Sequence, residues 1–372
     1  MKNKSYVFIF TFILIVFLLG IITIVKQDNE ISISERRKLT KFPNVSFESF
    51  ANGNFFSDFE KYLLDQISFR EGFRRIKAIN EFYVLNKLDN HKIIIKDGYA
   101  TKISYPLTEK SINLYIKKIN QIQEKYLKDK NLNIYNLVIP DKNYYLIKNK
   151  EYPVIDYSNL KEKISNGISG EYIDIFDDLD VDCYYKTDSH WKQEKIVKVA
   201  NEILRRMNMQ EVEKIEVSQP FKPFYGVYYG ESALPLDFDE IRYVTTKEIE
   251  KAKVYRVNQK TKELEEGKMY YENVIDDKLT DSYDLFLGGA STITIIENEL
   301  ATSDKTLYLF SDSYGRSLAP LLLSNYKRIV IYDVRYIKTS KALEKVEIEE
   351  NSDAVFAYSI SSIDVSSNIQ VD

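Results

Sequence analysis

The sequence predicts an α/β fold, a parallel sheet flanked by helices, set behind an N-terminal apolar helix and interrupted by a mainly β insertion. Three observations predict it. Strand-like apolar runs alternate with helical periodicity from about residue 107 to 207. The alternation resumes in "KTLYLFSDSYGRSLAPLLLSNY", "KRIVIYDVRYI" and "DAVFAYSISSI". Between these blocks, about 211–299 is rich in aromatics, with short alternating runs such as "KAKVYRVNQ" and "GKMYYENVI" and little helical periodicity. At 372 residues the chain is long enough to bury a sizeable core. Its 52 Lys and Arg against 56 Asp and Glu leave a formal charge of −4, which argues against a nucleic-acid partner.

Taken in order, the elements begin with "YVFIFTFILIVFLLGIITIV", Tyr6 to Val25, a run without charge that is long enough to cross a hydrocarbon core as a helix. Lys2 and Lys4 precede it, and no small-residue cleavage site follows at Ile24-Val25-Lys26. The expectation is therefore a retained single-pass membrane anchor over 1–27, with the chain from 28 to 372 forming one extracytoplasmic domain. Residues 28–41, with "ERRKLTKFP", read as a polar tether. Two helices follow, marked by Phe55, Phe59, Tyr62 and Leu63, then Phe69, Phe73 and Ile76, with Ser57 and Ser68 near their starts. Short strands fit "KIIIKDGYA" around the turn residue Gly98. An amphipathic helix fits Leu107 to Asp129, and a strand from Leu132 to Ile139 is stopped by Pro140. The piece "EYIDIFDDL" reads as another strand, and a helix from about Trp191 to Met207 carries Ile196, Val199, Ala200, Ile203 and Leu204 on one face.

Two stretches carry chemistry. In "LFSDSYGRS" a buried strand ends at Phe310, Ser313 occupies a turn, and a helix starts near Arg316. That arrangement raises a hydroxyl at the carboxyl end of a strand, beside backbone N–H groups that can meet oxyanion charge. Helix capping by Asp312 or Ser313 is the plainer alternative. In "TDSHW", His190 is one of only two histidines and stands beside the only tryptophan. A serine hydroxyl needs a base to take its proton and a third group to hold that base. His190 and Asp188 are the residues available, with an N-cap role the alternative for Asp188. In a parallel sheet both turns would lie at the same edge. His91, among turn residues, reads as structural, and Cys183, the lone cysteine, as a buried inert thiol with no disulfide partner. Asp182 is a second, less well placed carboxylate. The histidines do not cluster, so neither a metal nor a cofactor is expected. The Tyr-rich "FKPFYGVYYGES" either stacks on sugar rings or fills sheets and cores.

"TDSHW", "SDSYG" and "YDVRYI" resemble the DHHW family, and "ERRKLTKFP", "DFEKYLLDQISFREGFR", "VIPDKNYY" and "FLGGAS" look like family segments in matching order. This group is similar to the alginate O-acetyltransferase proteins, SGNH-hydrolase-like enzymes in which the Asp-x-His element precedes the serine. The resemblance implies Ser313 as nucleophile, His190 as general base and Asp188 as the orienting acid. Ser189 stands where the family name has its second histidine, which removes nothing a triad needs. The usual Gly and Asn oxyanion donors are not evident. The backbone N–H of Ser313 is the first candidate there, with Tyr314, Arg335, Ser359 and Trp191 as further oxyanion or substrate contacts.

The function so implied is an extracytoplasmic O-acetyltransferase, or acetylesterase, acting on a cell-surface or secreted polysaccharide through an acyl-enzyme. A membrane-bound O-acyltransferase partner would supply the acetyl group, because acetyl-CoA lies across the membrane. The alternative is a catalytically silent glycan-binding or scaffold subunit of a polysaccharide-modifying complex.

Overall fold

Apolar runs that lack a polar residue at every second position form strands needing cover on both faces. The computed structural model, which describes residues 2–147, 151–221, 223–258, 260–275 and 281–372, places them so. Among the described residues one large sheet is built from β1 (Asn133–Ile139), β2 (Glu171–Tyr172), β3 (Lys253–Val257), β4 (Leu264–Gly267), β5 (Ile293–Glu297), β6 (Thr306–Ser311), β7 (Arg328–Tyr332) and β8 (Asp353–Ser359). Its spatial order is β4-β3-β5-β7-β6-β8-β1-β2. Strands β7, β6, β8, β1 and β2 run parallel. At the β7 edge, β5, β3 and β4 add in antiparallel fashion.

The strands of the 211–299 segment therefore do not all form a separate β element. β3, β4 and β5 extend the central sheet, satisfying backbone groups that β7 would otherwise expose. Lys222, residue 259 and residues 276–280 of that segment lie outside the described residues. The strand expected at "EYIDIFDDL" shrinks to β2, with a tight helical turn at Phe176–Asp178 within the rest of it and another just beyond at Val181–Cys183. Asp174 and Asp180 bond back to the main chain there, at Phe176 N and Cys183 N, which favours turns over ladders.

Alternation along β6 sends Leu307 and Leu309 to one face and Tyr308 and Phe310 to the other. The helices fall on matching sides. Helices α6 (Val197–Arg206) and α7 (Gly315–Leu322) pack on the Leu309 face through Val199, Ile203, Leu318 and Leu322. Helices α4 (Glu109–Ile122) and α5 (Tyr157–Gly167) cover the Phe310 face with Ile112, Ile119, Leu160 and Ile164. Truncating the wholly buried Leu309 to Ala in such a layer costs about 2–5 kcal/mol.

By its contacts the chain divides into two units, Met1–His91 with Tyr229–Pro235, and Lys92–Tyr228 with Leu236–Asp372. The boundary expected after residue 27 lies within the first unit. That unit holds α1 (Lys2–Val25), α2 (Asn54–Gln66) and α3 (Arg70–Ile79). Helix α1 contains one stretch, Tyr6–Val25, long and apolar enough to cross a membrane. Residues 28–41 are not a free tether. Ile31–Ser32 pairs with Arg37–Lys38, and the Arg37 guanidinium meets Asp65 of α2 at 2.5 Å. That contact holds the Asp65 carboxyl well below the usual carboxylate range.

Candidate active site

The sheet brings three strand ends together at its carboxyl edge, and β6 leads straight into the turn that carries Ser313. Asp312 shapes this turn. Its Oδ1 accepts from Tyr314 N at 3.1 Å, while Oδ2 accepts from Ser359 N at 2.9 Å, Ser359 Oγ at 2.6 Å and Ser362 Oγ at 2.7 Å. One carboxylate thus ties the end of β6 to the end of β8. Gly315 opens α7, and what requires glycine there is room: a Cβ would come within 1.8 Å of Ser311 Oγ. Ser313 is left half-buried with its hydroxyl free to meet a partner.

That partner comes from a loop, not from a helix start. The helix expected from Trp191 begins only at Val197. Tyr184 pairs with Trp191 in an antiparallel bridge, Tyr185 N donates to His190 O at 3.1 Å, and Lys192 N donates to Cys183 O at 2.7 Å. The chain doubles back on itself before it can become helical, so Asp188 sits in a tight reversal and does not cap the helix that follows it. His190 Nε2 lies 2.7 Å from Ser313 Oγ, and its Nδ1 lies 2.6 Å from Asp188 Oδ1. Asp188, almost wholly buried, also accepts from His190 N at 3.1 Å and Val227 N at 3.0 Å. Burial alone would raise its pKa, but the imidazole and these donors outweigh it and hold the carboxyl below its ordinary value. The close approach of the 226–227 backbone needs Gly226, where a Cβ would stand 2.4 Å from Asp188 Cβ.

Packing locks the imidazole. Tyr283 stacks on it with centroids 3.8 Å apart and planes 8° from parallel. The Tyr283 hydroxyl lies 2.7 Å from Ser317 Oγ, to which Trp191 Nε1 donates at 2.8 Å. Tyr314 reaches across to donate to Ser189 O at 2.6 Å. The hydroxyl of Ser189, the departure from the DHHW pattern, makes only long contacts among the described residues, of 3.5 Å to Asp188 and to the ring.

Two further residues grip the loop, and sequence reasoning missed both. Lys142, 2 % exposed, donates through Nζ to Tyr185 O at 2.8 Å and Asp188 O at 2.7 Å, and to Ala100 O. Asp239 accepts from Lys186 N and Thr187 N, both at 2.7 Å, and from Thr187 Oγ1. Carbonyls of the loop thus face an ammonium while its amides face a carboxylate. Burial pushes Lys142 down to about 7, against the upward pull of Asp188 and Asp239. The segment "VIPDKNYY" hints at Lys142 only through family likeness. No local pattern marks either residue, because the carbonyls and amides they serve belong to distant positions.

The remaining oxyanion and substrate candidates are placed otherwise. Arg335 pairs with Asp333 through two contacts, at 2.7 and 2.8 Å. The Ser359 hydroxyl is bound to Asp312 and accepts from Ser362 N at 3.4 Å, capping the turn of helix Ile360–Asp364. The Tyr314 N–H is taken by Asp312. Trp191 is wholly buried and offers no surface to a substrate. The Ser313 N–H has no acceptor among the described residues. Cys183 is buried, which raises its thiol to about 11, and Asp182 accepts from Tyr99 at 2.8 Å. His91 belongs to the first unit.

No protein-family model matches the sequence, and no curated protein does. Solved structures do match. A DHHW family protein from Eubacterium siraeum aligns at 19 % identity and TM-score 0.58, over 75 % of this chain and 96 % of that one. Bacillus cereus PatB1, in a structure with a sulfonyl adduct, aligns at 16 % identity and TM-score 0.60, over 73 % of this chain and 95 % of its own. The likeness is one of fold, and it establishes that this chain is built as the DHHW family protein and PatB1 are.

Proposed function

We propose that the protein is a serine-dependent O-acyltransferase of the outer membrane face, moving an acetyl group onto a cell-surface or secreted polysaccharide. The observation that carries this reading is the unbroken hydrogen-bonded line Asp188–His190–Ser313 at the carboxyl edge of the sheet. In the first half-reaction Ser313 Oγ attacks the acyl carbonyl carbon while His190 Nε2 takes its proton. The Ser313 N–H faces the developing oxyanion. Collapse breaks the bond to the leaving oxygen, which takes the proton from His190 and departs as an alcohol, leaving an acyl-serine. In the second half, His190 removes a proton from a sugar hydroxyl, whose oxygen attacks the ester and regenerates Ser313. Water in place of the sugar gives acetylester hydrolysis. Asp188 holds the imidazole with Nε2 toward Ser313 and balances its positive charge.

The apolar helix α1 supports anchoring with the remaining chain outside. The donor would then be an acetyl ester delivered by a membrane-bound acyltransferase partner. The PatB1 structure with its sulfonyl adduct makes a sulfonyl fluoride a natural probe. Labelling of the wild-type protein, lost on Ser313→Ala, together with acetyl release from an activated ester, is the expected result. A wild-type protein that stays unlabelled yet retains glycan in a pull-down would overturn it in favour of a non-catalytic scaffold.

A further inference from the structure

Helix α3 is amphipathic the wrong way round for water. Its inward side carries charge: Arg70 meets Glu35 at 2.6 Å, Arg74 meets it at 3.5 Å, and Arg74 also donates to Gly230 O at 2.7 Å. Both arginines and Glu35 are largely covered. Its outward side carries the apolar stripe Phe69, Phe73 and Ile76, at spacings of four and three, with Phe69 70 % and Ile76 66 % exposed. Leu64, near the end of α2, adds to the same surplus at 64 % exposed. A helix on a water-facing surface buries its apolar stripe and exposes its charges, and contiguous apolar patches on a surface mark an interaction site.

Contacts within this unit indicate what covers the stripe. At the α2–α3 turn, Ser68 N donates to Thr23 Oγ1 at 3.1 Å, and Thr23 lies in the last turns of the apolar run Tyr6–Val25. Lys26 Nζ donates to Gln66 O at 3.3 Å, and Asn29 N donates to Gln66 Oε1 at 3.0 Å. The turn is therefore pinned level with the outer end of α1. Phe69 itself has φ of 62°, a left-handed conformation unusual for an aromatic residue, and this conformation starts α3. We propose that the α2–α3 hairpin lies in the headgroup–acyl boundary of the bilayer, with Phe69, Phe73, Ile76 and Leu64 as its immersed face. Lys77, exposed on the flank, then faces lipid phosphate. The hairpin would hold the first unit against the membrane, so that α1 is not a free stalk.

This inference rests on the anchoring reading above, and the test separates the two. The full chain is reconstituted into phosphatidylcholine–phosphatidylglycerol vesicles whose acyl chains are brominated near the headgroup end. Trp191, the sole tryptophan and wholly buried, supplies a constant background. Phe69→Trp is expected to lose about half of its added emission to the bromolipid and to resist aqueous iodide, as an interfacial side chain does. Leu64→Trp is expected to behave alike and serves if Phe69→Trp fails to fold. Ile13→Trp, within α1, reports the span itself. Quenching of Ile13→Trp while both hairpin tryptophans answer to iodide, or to neither quencher, overturns the proposal and leaves the anchor standing. Failure of Ile13→Trp to quench overturns both.

Discussion

Ser313 and Ser359 sit at the ends of neighbouring parallel strands, β6 and β8, each just ahead of a helix. In sequence they are the same kind of residue in the same kind of place. Their surroundings separate them. Ser359 is buried, donates to the Asp312 carboxylate at 2.6 Å and caps the turn that follows. Ser313 is half-buried, and its oxygen lies 2.7 Å from an imidazole that Asp188 holds from behind. A serine at the carboxyl end of a strand is thus not a site in itself. A carboxylate neighbour makes the hydroxyl a structural clasp, while a basic nitrogen neighbour gives its proton somewhere to go.

The comparison can be broken most sharply at the two serines. Ser313→Ala should reduce ester turnover on the order of 10⁶-fold, as loss of a nucleophile does, with an unchanged thermal midpoint. Turnover measured beside a melting curve checks both halves of that statement. Asp188→Asn should keep the loop in place but lower turnover by about 10⁴-fold, because the amide cannot hold the same imidazole tautomer or balance its charge. Steady-state kinetics with a far-ultraviolet spectrum to show intact folding would decide it. Equal activity of the Asn variant would mean that Asp188, like Asp312, is structural.

Lys142→Met tests the grip on the loop. Removing the ammonium leaves the Tyr185 and Asp188 carbonyls without their donor, and each buried group so orphaned costs about 1–3 kcal/mol. Chemical denaturation should register that loss, and turnover should fall because the His190 loop relaxes. Ser359→Ala should cost about 1–2 kcal/mol by removing a buried hydrogen bond to a carboxylate. Its turnover per folded molecule should stay within a few-fold of wild type, which would separate the clasp from the proposed nucleophile.

The smallest effect is one of acidity. The Asp188 carboxyl is held below its ordinary value in the folded chain. Its contribution to stability is therefore complete above about pH 4, the unfolded value, and fades as pH falls through the lower folded one. Denaturation midpoints between about pH 5 and pH 2 should fall less steeply for Asp188→Asn than for wild type. Parallel curves would count against the charge pairing.

Much of the framework was legible in the sequence because it depends on local pattern. The apolar stretch of α1, the run that became β6 and the helical spacing of α4 announce themselves through period and composition. His190 could be nominated because the chain has only two histidines to move a proton near neutrality, and Asp188 and Ser313 followed from their places two residues before it and at a strand-to-helix turn. The helix expected from Trp191 starts only at Val197, because the Tyr184–Trp191 bridge keeps the chain extended and a tight turn at Gln193–Lys195 intervenes, while the apolar spacing itself begins only at Ile196. Strands β3 to β5 carried alternating patterns but no mark of which sheet they would join.

The amino-acid order by itself determined which segments must be buried, which could cross a membrane and which few side chains are chemically capable. Those properties belong to single residues and their near neighbours. Only the tertiary structure decided which of two like serines meets the imidazole, that Lys142 and Asp239 clamp the loop between opposite charges, and that α3 turns its apolar stripe outward. Each of these is a contact between residues far apart in the chain, and its existence depends on distances of a few ångströms that no local pattern encodes.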